Sequence, residues 1–185
     1  MNVHSTAPTD PDAFLRWNDG REGKRELVRG RVVEYMINVT RAHAYIVTHL
    51  IIELSRVLDP DRFEAYAVDL GVKTPDGVRY PDVVVDVAGG DSRDLAVTAP
   101  VFFCEVLSPS SVTRDMVEKL GDYTKMPSVE AYLVLSEDEP RGWLWVRQGD
   151  AWSGPETIQG QEDMIRIPAL SVEIGLAKLY PASLL

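Results

Sequence analysis

The chain has 185 residues, with 19 Lys and Arg against 29 Asp and Glu, a formal net charge of −10. The length suits one domain with a sizeable core, and 45% hydrophobic with 26% charged residues argues against wholesale disorder. The acidic balance argues against a protein that coats nucleic acid through bulk positive charge, but leaves a local phosphate site open.

Residues 1–9 read as a loose leader and 10–185 as a single domain. Asp10-Pro11-Asp12 carries helix-start signals and leads into Phe14, Leu15 and Trp17. Glu26-Leu27-Val28 and Val32-Val33-Glu34-Tyr35-Met36 flank Arg29-Gly30, which predicts a β-hairpin with Gly30 in the turn. Residues 41–58 carry the clearest helical pattern, with His43, Ile46, Val47, Leu50, Ile51 and Leu54 on one stripe, and Pro60 ends it. Beyond it the chain reads as β-rich. A strand over 63–73 with a break at Gly71 is followed by buried strands at 83–87 and 101–107. A second helix is expected over about 113–125, closed before Pro127, then strands near 130–136, 143–148 and 151–158. The sum is an α+β or mixed α/β domain, one sheet with helices packed on it. The single cysteine, Cys104, excludes an internal disulfide and any multi-cysteine zinc site. No apolar run reaches the roughly 20 residues of a membrane helix, and no secretory signal is visible, so the expectation is a cytoplasmic protein with no membrane association.

Three acids stand where a core strand should be apolar. Asp82 opens the run Asp82-Val83-Val84-Val85-Asp86, and by strand alternation shares a face with Val84 and Asp86. Glu105 lies inside Val101-Phe102-Phe103-Cys104-Glu105-Val106-Leu107, on one face with Val101, Phe103 and Leu107. A buried ionised carboxylate there costs several kcal/mol unless a cation or donors meet it. Glu26 begins the hairpin. Any one of these acids is most simply edge-exposed or satisfied by a nearby Arg. Two strands joined by a short connection can instead bring Asp82 and Glu105 to one side of a sheet, a hard-oxygen site suited to Mg²⁺ or Mn²⁺. His4, His43 and His49 do not stand at zinc-ligand spacing. Asp115, Lys119 and Tyr123 follow at i, i+4 and i+8, on one face of the second helix. The plain alternative is a solvent-side Asp–Lys pair. The functional reading sends Lys119 over the two acids, to orient a water nucleophile or stabilise a phosphorane-like transition state.

These residues, in this order, carry a resemblance. Arg79-Tyr80-Pro81-Asp82-Val83-Val84-Val85, then Glu105-Val106-Leu107-Ser108-Pro109-Ser110-Ser111, then Asp115, Lys119, Tyr123 and Val129-Glu130-Ala131-Tyr132-Leu133-Val134, resemble the Uma-two family of putative restriction endonucleases. That family belongs to the PD-(D/E)xK nuclease superfamily. Glu26-Leu27-Val28-Arg29-Gly30-Arg31-Val32-Val33 is similar to the family's early hairpin with its acid, and the likeness covers about residues 12–175. It implies a restriction-endonuclease-like core, a central mixed β-sheet flanked by helices, with Mg²⁺ (or Mn²⁺) held by Asp82 and Glu105 and Glu26 as the first acid. It also implies a departure from the parent superfamily. The position two after Glu105 should be Lys and is Leu107, and in this family Lys119 from the following helix is thought to substitute. Asp115 and Tyr123 are then supporting candidates.

The expected function is a Mg²⁺-dependent endonuclease hydrolysing phosphodiester bonds in DNA, with Glu26, Asp82, Glu105 and Lys119 as its catalytic set. The rival from another class is a non-catalytic regulator, binding nucleic acid or protein on a nuclease-like scaffold, which Leu107 and the acidic surface favour. Residues 21–31 hold five cations against two acids, a net of +3 that leaves −13 on the rest, so Arg25, Arg29 and Arg31 are candidates to grip a nucleic-acid backbone. His43 is read as a core or interface histidine rather than a catalytic base. Cys104 is read as buried filler. Trp143-Leu144-Trp145 reads as a strand supplying core or interface surface, with a homodimer through the apolar strands near 143–158 as a compatible expectation.

Overall fold

The structure, a computed structural model, describes residues 7–35, 39–67, 69–108 and 119–185. Helix α1 (Pro11–Asn18) starts where Asp10 accepts the Ala13 N–H at 2.9 Å, with proline in its first turn. Strands β1 (Lys24–Val28) and β2 (Arg31–Tyr35) form the expected hairpin. Its two turn residues, Arg29 and Gly30, both have positive φ, at 50° and 73°, which is what a two-residue hairpin turn of this twist requires. Helix α2 (Arg41–Val57) is capped by Thr40, whose hydroxyl oxygen accepts the His43 N–H at 3.0 Å.

The remaining strands are β3 (Phe63–Ala67), β4 (Val72–Thr74), β5 (Gly77–Arg79), β6 (Val83–Val87), β7 (Pro100–Leu107), β8 (Ala131–Ser136), β9 (Arg141–Gln148), β10 (Ala151–Gln159), β11 (Met164–Ile167) and β12 (Val172–Gly175). The expectation of one sheet is corrected: the described residues form three. A six-stranded sheet runs β10-β9-β8-β7-β6-β3, a four-stranded sheet runs β2-β1-β5-β4, and β11 pairs with β12. The large sheet is mixed, because β7 and β8 are parallel and its other neighbours antiparallel. A parallel pair needs a crossover, and the chain between β7 and β8 includes helical residues 119–123. The expected helix over 113–125 lies partly outside the described residues. The single strand expected over 63–73 is two: β3 joins the large sheet, whereas β4 joins the small one, just after Gly71, which bridges Ala96.

Strand β7 divides the core. Phe102, Cys104 and Val106 join the cluster under Ile46, Leu50 and Leu54 of α2, closed on the same side by Ile165 and Ile174 of the β11–β12 pair. Phe103 and Leu107 face the other way, into a cluster with Tyr123, Met126 and Tyr132. Each fully buried Leu, Ile or Phe contributes roughly 1.5–3 kcal/mol. Val101 departs from the expected alternation. The register shifts between Val85 and Asp86, leaving Val101 without a partner between Phe102 and Pro100, and it packs in the cluster under α2. Cys104 is fully buried, as expected. A third cluster sets Phe14 and Leu15 of α1 against Leu27, Val78 and Tyr80.

The apolar strands near 143–158 are covered by the chain itself. Leu144 and Ile158 are in the core, Trp145 stacks on Tyr132 with ring centroids 5.6 Å apart, and Trp143 and Trp152 are half-buried against the same cluster.

Candidate active site

The two larger sheets meet where the chain passes from Arg79 on β5 to Val83 on β6. That short passage carries Asp82. Beside it lie Lys24 and Glu26 on β1, Glu105 on β7, His43 in the first turn of α2, and Lys119 in the crossover. These residues line one cavity of about 170 Å³, together with Tyr35, Arg79 and Leu107. All four sequence-predicted catalytic candidates thus converge from four separate segments.

Asp82 is 4% exposed. Its Oδ2 accepts the Val106 N–H at 2.8 Å, which fixes it against β7 next to Glu105. Its Oδ1 faces His43 Nε2 at 3.5 Å and Lys24 Nζ at 3.8 Å. Burial alone would raise its pKa, but the His43 hydrogen bond, the Lys24 charge and the Val106 N–H hold it below the usual carboxylate value. Asp82 is therefore ionised at neutral pH. His43 moves the other way. Burial opposes its protonation, and the bond and charge of Asp82 overcome that, raising its pKa.

Glu105 is 1% exposed. Lys119 Nζ lies 2.8 Å from its Oε1, and the Tyr123 hydroxyl donates to the same oxygen at 3.1 Å. Burial pushes the Glu105 carboxyl up to about 7, with Asp82 adding to the rise and Lys119 opposing it. Lys119 also rises. Burial lowers it, and the charges of Glu105, Glu26 and Asp82 more than offset that. Glu105 rises chiefly through its burial and Lys119 through the carboxylates around it; among the described residues the site holds four carboxylates, Glu26, Asp82, Glu105 and Asp122, and three permanent cations, Lys24, Arg79 and Lys119. The excess negative charge favours added protons, or another cation.

Glu26 has a different place from the other two acids. Arg79 Nη1 donates to its Oε2 at 2.8 Å and the Tyr80 N–H to its Oε1 at 3.3 Å. Arg79 is itself clamped on the far side by Asp122, through Nη2 at 2.6 Å and Nε at 3.0 Å. Glu26 is thus occupied by a buried Asp–Arg–Glu bridge that ties β1, β5 and the crossover together. Breaking such a bridge costs about 3–5 kcal/mol, because it strands a buried charge.

The Lys119 ammonium reaches Glu105, so a cation stands where Leu107 supplies none. Leu107 does share the Glu105 side of β7, packed in the cluster of Phe103 and Tyr123. Asp115 lies outside the described residues. Asp86 is not part of the site: both its oxygens accept from the 98–99 segment, from Thr98 N at 2.9 Å and Ala99 N at 2.8 Å. Of the basic candidates, Arg29 and Arg31 are exposed on the hairpin. Arg25 is engaged with Glu34 at 2.6 Å and lies over the Trp17 ring.

Sequence reasoning missed Lys24, His43, Arg79 and Asp122. His43 was read as core because it falls on the apolar stripe of α2, yet that stripe ends at the helix N-terminus, over Asp82. The signal for Arg79 was its place three residues before Asp82. Asp122 gave none, being off the i, i+4, i+8 spacing.

The donor set bears on a metal. Among the described residues no three His, Cys, Asp or Glu side chains group as a metal-binding cluster. Mg²⁺ commonly takes only one or two carboxylates, with waters and substrate phosphates filling the shell. Asp82 and Glu105 supply two hard oxygen donors, which fits that pattern, whereas both oxygens of Glu26 are already engaged, one by Arg79 and one by the Tyr80 N–H.

A family model described as "Uma2: Putative restriction endonuclease" matches residues 11–178. Two uncharacterised proteins of Synechocystis sp. (strain ATCC 27184 / PCC 6803 / Kazusa) are similar in sequence. One is 26% identical over 146 residues, covering 74% of this chain and 80% of that protein. The other is 29% identical over 143 residues, covering 74% and 75%. In structure the chain is similar to a protein described as a putative nuclease belonging to DUF820, from Anabaena variabilis ATCC 29413. The TM-score is 0.71 at 17% identity, over 91% of this chain and 95% of that one, a likeness of fold.

Proposed function

The chain belongs to the Uma2 restriction-endonuclease family, and from that premise we propose that it is a divalent-metal-dependent endonuclease hydrolysing phosphodiester bonds in DNA. The observation that carries the reading is the meeting of Asp82, Glu105 and Lys119 in one small buried cavity. Asp82 and Glu105 would hold Mg²⁺ or Mn²⁺, which supplies Lewis-acid polarisation of the scissile phosphate and neutralises charge that develops on it.

The chain's own groups do the rest. Lys119 keeps its proton at neutral pH, so it serves as a fixed positive charge and hydrogen-bond donor and not as a base. From beside Glu105 it orients the attacking water or offsets charge on the pentavalent phosphorus. Tyr123, whose pKa burial and the charge of Glu105 hold well above the ordinary value, stays a donor and fixes the Glu105 carboxylate. Lys24 and His43 line the same cavity and can meet a phosphate oxygen beside Asp82. Glu26 acts at one remove. Through Arg79 and Asp122 it locks β1 and β5 to the crossover that presents Lys119. The non-catalytic alternative drew support from Leu107 and from the acidic surface, and Lys119 beside Glu105 answers the first of these.

Asp82→Ala should abolish metal-dependent cleavage of a DNA substrate while circular dichroism shows the fold retained. Equal cleavage by variant and parent would sink the assignment.

A further inference from the structure

A second cavity, of about 540 Å³, opens beside the catalytic one and shares Lys24, His43 and Asp82 with it as a common wall. The catalytic cavity, about 170 Å³, has room for a phosphate group and little more. We propose that the larger cavity seats one nucleoside of the cleaved strand, next to the scissile phosphate and lifted out of its stack. The inference rests on the nuclease reading and names its substrate class: nucleic acid that is unpaired at the cut.

Three observations carry it. The first is continuity: a phosphate at Asp82 and Glu105 places the adjoining sugar and base at the wall that leads into the larger space. The second is the lining. Leu15, 5% exposed, and Tyr80, 8% exposed, line it from the core, while Val39, 63% exposed, and Leu95, 37% exposed, stand as large apolar side chains at its edge. Apolar walls with a few polar groups suit a flat base. The third is charge. With Asp82 given to the metal, the remaining acids of the lining, Asp19 and Asp69, are balanced by the permanent cations Arg21 and Lys24. A lining without net positive charge gives a run of phosphates little to hold, whereas a neutral base offers N–H groups for carboxylates to accept. A paired, stacked duplex must first unpair and flip a base out to place it in a side cavity, a cost that an already unpaired strand does not bear.

The test is a calorimetric comparison of deoxyadenosine 5′-monophosphate with 2-deoxyribose 5-phosphate, which lacks the base, both in the presence of Mg²⁺. The parent is expected to bind the nucleotide at least about tenfold more tightly than the sugar phosphate. Leu95→Trp should fill the space and bring the nucleotide down to the level of the sugar phosphate. Val39→Trp, at an exposed position clear of the core, is the second variant should Leu95→Trp fail to fold. Equal binding of the two probes by the parent, no nucleotide binding, or Trp variants that bind the nucleotide as the parent does, would each overturn the proposal. A single-stranded oligonucleotide should also be cut faster than its duplex, and equal cutting of the two counts against it. Nucleotide selectivity without any cleavage would instead overturn the nuclease reading and leave the pocket assignment standing.

Discussion

Glu105 and Lys119 define the site at the scale of the residue. A lysine that comes from a helix and not from the strand is chemically equivalent only if its ammonium reaches the same carboxylate, and here it does, at 2.8 Å. Lys119→Met should lower cleavage by about 10²–10³-fold, the loss typical of one transition-state donor. Leu107→Lys added to that variant should restore part of the rate, read as initial velocities on one substrate, because Leu107 lines the same cavity. No recovery would mean that the two positions do not address the same atoms. The Glu105 carboxyl has a further consequence for stability. Folding raises its pKa from 4.5 to about 7, so between those values the folded chain holds a proton that the unfolded chain has lost. Stability then falls as pH rises through that window and levels off above it, by an amount on the order of 3 kcal/mol. Glu105→Gln cannot titrate. Urea denaturation in chelator should show the parent losing stability relative to Glu105→Gln from about pH 4.5 to about 7, and a constant difference would contradict the burial argument.

At the scale of the element, most of the secondary structure was legible. Helix α2 was expected over 41–58 and spans 41–57, since three- and four-residue apolar spacing over that length fits little else. The β1–β2 hairpin was equally plain, because Arg29-Gly30 stands between two apolar runs. Strands β4 and β5 went unseen as a pair. They are three residues each and stabilised by neighbours far off in sequence, so neither has a periodicity to read. They matter all the same, because β5 carries Arg79 and sits beside β1, which carries Glu26. Gly77 permits that approach. Its φ is 154°, and a Cβ there would lie 1.8 Å from the Leu27 carbonyl oxygen. Gly77→Ala should therefore part β5 from β1 and cost more than about 3 kcal/mol in urea denaturation. A loss below about 1 kcal/mol would show that the small sheet gives way easily there.

For the whole molecule, the net charge of −10 limits how tightly a polyanion can be held. Part of that charge is the site itself, and the hairpin holds cations against it. Arg29 and Arg31 are exposed there, whereas Arg25 is spent on Glu34 and Trp17. On an Asp82→Ala background, which should bind without cutting, Arg29→Ala and Arg31→Ala should each flatten the salt dependence of oligonucleotide binding by about 0.7 in log–log slope for a single strand. Arg25→Ala should leave it nearly unchanged, and an equal effect from all three would refute the distinction. The amino-acid sequence by itself determined the fold class, the α2 and hairpin elements, and the unusual acids at Asp82 and Glu105. Periodicity and a charge inside an apolar run are local signals. Only the tertiary structure decided that Lys119 reaches Glu105, that Glu26 belongs to Arg79 and Asp122, and that His43 and Lys24 face Asp82. Those pairings join residues up to 58 apart in chain order, from Lys24 to Asp82, and depend on where two sheets meet, which no local pattern encodes.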